Sequence, residues 1–360
     1  MPNSESTSIN SSSLVSSPFV STEWLDTHLH DANLKLIDAS WYLPNMQRNG
    51  YLEFGQGHIA GALFFDMDQV CDQTSDLPHM APTAEAFAEY LSAKGINDSH
   101  QLVVYDSAGL FSAARVRWLF KCMGLDNVSV LDGGLAKWLA EGRNTEQGMI
   151  EPQAGDTPQY TPRAIMRNVE QVLQATQSRA YEIIDARAPG RFLGLEPEPR
   201  EGLRSGHIPG SKNVFFKTLL NPDYTMQSPG DLRATFAAAG IDLNKPVITS
   251  CGSGITAAII NLALAQIGKS DHYLYDGSWA EWGMDPALPM ATQWFSTTGF
   301  APRLTLTPNV FVFSSLRAFF RAFLGCIAWG LFSGFVVCIK RSFRSWCAFW
   351  LGWLTGAHVV

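Results

Sequence analysis

Residues 246–264, PVITSCGSGITAAIINLAL, have a second, earlier version in residues 102–120, LVVYDSAGLFSAARVRWLF. A single offset of 144 carries Val103 onto Val247, Ala113 onto Ala257 and Ala114 onto Ala258, and it continues downstream. Asp132-Gly133-Gly134 falls on Asp276-Gly277-Ser278, and Trp138 on Trp282. Upstream, KLIDAS (35–40) matches EIIDAR (182–187), and GHIAGALFF (57–65) matches GHIPGSKNVFF (206–216), with small indels of the kind loops absorb. Matched order over this length is the mark of a duplicated domain.

Each copy alternates short β-type runs with helical stretches. Leu34–Asp38, Leu102–Tyr105 and Val128–Leu131 read as strands buried on both faces, and Ala84–Lys94, Ala113–Met123 and Ala257–Ile267 as helices. The pattern predicts an α/β fold, each copy a parallel sheet flanked by helices. Ligands in such sheets bind beyond the carboxyl ends of the strands. Cys251 stands at such an end, where a strand turns into a helix and backbone N–H groups point outward. A thiolate nucleophile needs a lowered pKa, and a tight loop of converging amides at a helix N-terminus supplies one without a metal. Gly252 and Gly254 let the chain curl there. The alternative is an inert, buried structural cysteine. In the first copy the same position is Ser107, a hydroxyl for a thiol.

Composition narrows the class. Six cysteines without a C-x-x-C pair argue against a disulfide framework or structural zinc site, and for a reducing compartment. Residues 301–360 hold six basic and no acidic residues, leaving 20 basic against 33 acidic in the first 300; so acidic a body is not a nucleic-acid binder. Nine serines among the first 21 residues, with neither an apolar core nor arginines, read as a disordered leader rather than a targeting signal. The expected organisation is a leader over 1–20, an N-terminal copy over 21–145, a linker over 146–165, a C-terminal copy over 166–295, and an atypical tail over 296–360.

The tandem copies, the segment GRFLGLEPEPREGLRSGHIPG (190–210) and the loop CGSGIT (251–256) together resemble the 3-mercaptopyruvate sulfurtransferases, relatives of thiosulfate sulfurtransferase built from two rhodanese-type domains. The resemblance spans roughly 20–295. It implies an inactive first domain and a second in which Cys251 forms a persulfide cradled by Gly252, Ser253, Gly254, Ile255 and Thr256. It implies that Arg191 and Arg200 bind the substrate carboxylate and keto oxygen, as guanidinium forks do well; the alternative is ordinary surface or interdomain ion pairing. It implies a proton relay of Ser253 with Asp68 and His79, from DMDQVCDQTSDLPHM (66–80). Against the relay, Ser253 caps a helix, His79 orders its loop and Asp68 pairs with an arginine. His58 and His207, present in both copies, read as structural, as do Arg187 and the aromatic Trp279 and Trp282.

The expected reaction moves sulfur from 3-mercaptopyruvate through Cys251 to a thiol such as thioredoxin or a low-molecular-weight thiol, or to cyanide, with no metal or organic cofactor and no nucleic-acid partner. The neutral Gly252 and Ser253 favour this donor over thiosulfate, whose preferring relatives carry basic loop residues. A cysteine-loop phosphatase would need an arginine where Ala257 stands. The alternatives are a thiosulfate:cyanide sulfurtransferase and a non-catalytic sulfur-carrier or regulatory module. A cytoplasmic location is expected. Relatives of this kind end soon after GSWAEWG, whereas this chain continues for more than seventy residues. Its apolar stretch 322–339 is either a membrane anchor or the product of out-of-frame or read-through translation; the missing acids and the abrupt change of composition favour the second.

Overall fold

The computed structural model describes residues 17–157 and 160–292. Most of the leader, the tail beyond 292 and the apolar stretch 322–339 lie outside the described residues. Among the described residues no helix is long and apolar enough to cross a membrane.

The first copy folds as β1 (Phe19–Val20), α1 (Thr22–His28), β2 (Leu34–Asp38), α2 (Gly50–Gln56), β3 (Ala62–Phe64), α3 (Ala84–Ala93), β4 (Gln101–Tyr105), α4 (Ala113–Cys122), β5 (Val128–Leu131) and α5 (Gly134–Ala140). The second repeats the series as β6 (Met166–Arg167), α6 (Val169–Ser178), β7 (Glu182–Asp185), α7 (Pro189–Phe192), β8 (Lys212–Asn213), α8 (Pro229–Ala238), β9 (Val247–Ser250), α9 (Ala257–Gln266), β10 (His272–Tyr275) and α10 (Ser278–Trp282). The sheets are parallel throughout and share one topology, β1-β5-β4-β2-β3 and β6-β10-β9-β7-β8. Their central strands are buried apolar runs because helices cover both faces. The first strand starts at Phe19, inside the stretch expected to be leader.

The copies meet through α4 and α9. Every residue of α9 from Ala257 to Leu264 is buried, which is why this helix lacks a polar face. One apolar core runs from Val104, Val116 and Phe120 across to Ile184, Ile259 and Leu262. The meeting is reciprocal at the polar level too. Asp132 Oδ1 of the first copy accepts the Met226 N–H (2.8 Å), and Asp276 Oδ2 of the second accepts the Ala81 N–H (2.7 Å).

The linker lies along the first copy. Gly155 donates its N–H to the Ser92 carbonyl (2.8 Å), Ser92 Oγ donates to the Gly155 carbonyl (2.6 Å), and Arg163 donates its N–H to the Cys122 carbonyl (2.7 Å). The paired histidines have the structural role expected of them. His58 Nδ1 and His207 Nδ1 each lie 2.8 Å from a carbonyl, of Phe54 and Phe192, and each ring stacks on that same phenylalanine. Trp279 and Trp282 are fully buried.

Candidate active site

β9 ends at Ser250 and the chain turns through residues 251–256 into α9. Gly254 sits at φ +77°, where a side chain would be strained; Gly252 does not. A Cβ on Gly252 would instead stand 3.1 Å from Arg191 Nη2, so that glycine makes room rather than curvature. The loop carbonyls of Cys251 and Gly252 accept the N–H groups of Trp279 (3.0 Å) and Ala280 (2.9 Å) in α10.

The amides depart from the expected ring around sulfur. The N–H groups of Cys251 (3.2 Å) and Gly254 (3.1 Å) donate to Ser278 Oγ, whose own proton goes to the Tyr275 carbonyl (2.8 Å). Those of Gly252, Ser253, Ile255 and Thr256 have no acceptor among the described residues and stay available to an anion. Cys251 itself is only 2% exposed, deeper than an open loop mouth implies. Ser253 is 9% exposed, makes no side-chain hydrogen bond among the described residues, and does not cap α9, whose N-cap is Thr256.

Three arginines come from the segment after β7. Arg187 is buried, doubly bonded to Asp185 and donating to Glu198 (2.7 Å) and the Gly206 carbonyl (2.7 Å), a structural role. Arg191, on α7, is held by the second oxygen of Glu198, whose side chain is almost wholly buried. Arg200 has no hydrogen bond or close ion pair among the described residues, so its fork is open to a ligand. Burial pulls its pKa below the usual value, and the neighbouring Cys251 side chain opposes that shift. Set against Asp185 and Glu198, the three guanidiniums leave one net positive charge.

The first copy supplies the opposite wall. His79, at φ +59°, has Nδ1 3.4 Å from Asp68 Oδ1, and Trp41 Nε1 donates to both Asp68 oxygens (2.9 and 3.0 Å). Asp68 is therefore held by Trp41 rather than by an arginine, and His79 Nδ1 lies beside it without a hydrogen bond among the described residues. Burial first, then the Arg115 and Arg200 cations, push the His79 pKa down to about 4, which makes the ring neutral at pH 7. Burial raises the Asp68 carboxyl, against the Trp41 hydrogen bond. Asp68, His79 and Arg200 share one cavity of about 410 Å³ with Cys71, Leu203 and Met284; Cys251, Ser253 and Arg191 are not on its wall.

Sequence reasoning missed Ser278, Glu198, Trp41 and the Arg115–Asp276 pair. Ser278 had a signal. Its counterpart Gly134 takes φ +57°, and Ser278 takes φ +50°, so the second copy puts a strained serine where the first keeps glycine. The first copy's loop has different company. Ser107 Oγ is engaged by Tyr42 Oη and Ser40 Oγ, and Tyr224 from the second copy packs against Gly109. Aligned on the Phe54–His58 and Phe192–His207 pairs, Glu53 occupies the place of Arg191.

The rhodanese-like domain model matches residues 21–141 and 168–285. Human 3-mercaptopyruvate sulfurtransferase is 43% identical over 253 residues, 70% of this chain and 85% of that protein. The Escherichia coli K12 protein of the same name is 41% identical over 270 residues, 74% of this chain and 95% of that one. The crystal structure of SseA, a 3-mercaptopyruvate sulfotransferase from Escherichia coli, superposes with a TM-score of 0.68 at 39% identity, covering 73% of this chain and 99% of that one. The chain belongs to the rhodanese family, as a sulfurtransferase built from two tandem rhodanese-like domains.

Proposed function

We propose that the donor is 3-mercaptopyruvate and that the catalytic domain is the copy spanning 166–295, with 21–145 as its inert partner and 146–165 as the link. Arg200, with Arg191, binds the donor carboxylate and keto oxygen. The Cys251 thiolate attacks the donor sulfur; the carbon–sulfur bond breaks and its electron pair leaves as the enolate of pyruvate. The enolate carbon takes a proton that Ser253 relays, with the neutral His79 and Asp68 behind it. Unpaired amides of Gly252, Ser253, Ile255 and Thr256 hold the Cys251 persulfide. An acceptor thiolate then attacks the outer sulfur and restores Cys251. Thioredoxin or a small thiol fits this last step, and the cytoplasm keeps such thiols reduced.

The observation that carries the reading is Arg200, a guanidinium with no partner among the described residues that shares a cavity with His79 and feels the Cys251 side chain electrostatically. Exposure to 3-mercaptopyruvate should add the mass of one sulfur atom to the Cys251 peptide, and Cys251→Ser should abolish both the adduct and turnover; turnover surviving in that variant refutes the assignment. Hamster thiosulfate sulfurtransferase is also 41% identical, over 267 residues, so thiosulfate is the competing donor. A higher kcat/KM for thiosulfate than for 3-mercaptopyruvate would decide in its favour.

A further inference from the structure

We infer that Arg115, on α4 of the inactive copy, is a positioning residue for the reaction carried out by the other copy: its guanidinium holds the His79 segment and the Cys251 loop at one fixed separation. Nη1 donates to Asp276 Oδ1 (2.6 Å) and Nη2 to the His79 carbonyl (2.6 Å). Asp276 Oδ2 accepts the Ala81 N–H, so the same carboxylate grips the segment just beyond His79. Two residues after Asp276 stands Ser278, whose Oγ accepts from Cys251 and Gly254. One planar fork thus joins the relay segment, the turn beneath the nucleophile loop and, through that turn, the loop itself.

Gly254 supplies an independent mark. A Cβ there would stand 3.0 Å from Arg115 Nη1 and 3.1 Å from the Asp276 carbonyl and carboxylate oxygens. The equivalent position in the inactive loop is Leu110, which takes the same left-handed conformation at φ +62° with a full side chain. Gly254 is therefore favoured twice, by its left-handed backbone and by the crowding around Arg115 and Asp276, whereas Leu110 bears the backbone strain. The repeat counterpart of Arg115, on α9 of the active copy, is Ile259, a hydrocarbon. Arg115 is 0% exposed, and its Nε has no hydrogen-bond partner among the described residues. A buried cation with an unmet donor is a poor way to stabilise a core, and apolar residues commonly do as well or better. The asymmetry between the copies points to a use that only the active side has.

The inference rests on the Cys251–His79 reading, and the test separates the two. His79 faces Asp68, Arg115, Arg200 and Asp276. Arg115→Lys keeps the charge and loses the fork. Arg115→Gln combined with Asp276→Asn replaces the buried ion pair with neutral hydrogen-bonding groups, guarding against failure to fold. In whichever variant retains the wild-type circular dichroism, kcat should fall about 100-fold with KM nearly unchanged, as expected when reacting groups shift by about 1 Å. The acid limb of kcat/KM should stay in place for Arg115→Lys and move upward in pH for the double variant, because the Arg115 cation that holds the His79 pKa down outweighs the Asp276 carboxylate that holds it up, and both are removed. A bare strut would lower Tm and leave the kcat and pH profile of the folded enzyme as they were. Wild-type kcat in the folded variants, with Cys251→Ser inactive, overturns this inference alone; sulfur loading that survives Cys251→Ser overturns the functional reading.

Discussion

At Ser278 two costs are set against each other. Its left-handed backbone is unfavourable by about 1–2 kcal/mol for a residue with a side chain. Its hydroxyl satisfies two buried loop amides, each of which would otherwise be left unmet at about 1–3 kcal/mol. Ser278→Gly removes the strain together with the acceptor, whereas Ser278→Ala removes the acceptor and keeps the strain. Both should destabilise, and alanine by about 1 kcal/mol more than glycine in urea titrations; equal losses would mean the serine is unstrained. At Ser107 a thiol alone should not make a second site. Ser107→Cys in a Cys251→Ser background should gain no sulfur from 3-mercaptopyruvate by mass spectrometry, because Glu53 stands where Arg191 would be and Tyr224 packs on the loop.

The repeated β2 and β7 show how the same element is used differently. Each ends in an aspartate that accepts the N–H two residues on, Ser40 from Asp38 (2.8 Å) and Arg187 from Asp185 (2.9 Å). In β7 the next step is a buried ion pair with Arg187; in β2 Ser40 brings no charge. Burial accordingly pushes the Asp38 pKa up to about 6. A carboxyl whose folded pKa is raised binds its proton more tightly in the folded state. Its contribution is fully present below the unfolded value near 4 and is lost as pH rises through 6. Asp38→Asn keeps the acceptor and removes the titration, so its stability relative to wild type should improve by about 3 kcal/mol between pH 3.5 and 7.5. A pH-independent difference would show that Asp38 titrates normally. Strands β2, β4 and β5 and helices α4 and α9 were legible to within a residue or so, since each carries an apolar run or stripe long enough to show its period. The edge strands β1 and β6, two residues each, have no period to read. Cys251 stood out because the repeat set it against Ser107. Arg115 did not, because its partner Asp276 lies 161 positions away and nothing in either local pattern announces the pairing.

On the scale of the whole molecule, the two copies share a core. Removing the first would lay bare α9, a helix buried at every position from Ala257 to Leu264. Calorimetry should therefore give one unfolding transition with matching van't Hoff and calorimetric enthalpies; two separated peaks would show the copies to be independent. The link between them passes from one copy to the other over two residues. Arg163 is still bonded to Cys122 of the first copy, while the Ile165 carbonyl already accepts the Leu274 N–H of the second (3.0 Å). Ala164 is thus the joint at which the chain passes from one copy to the other, and its carbonyl already accepts from Arg167 Nη1 (2.9 Å) of the second. A gene divided there should encode two polypeptides that need each other to fold; co-expressed they should elute together with sulfurtransferase activity, and activity from the second half alone would show that the shared core is dispensable.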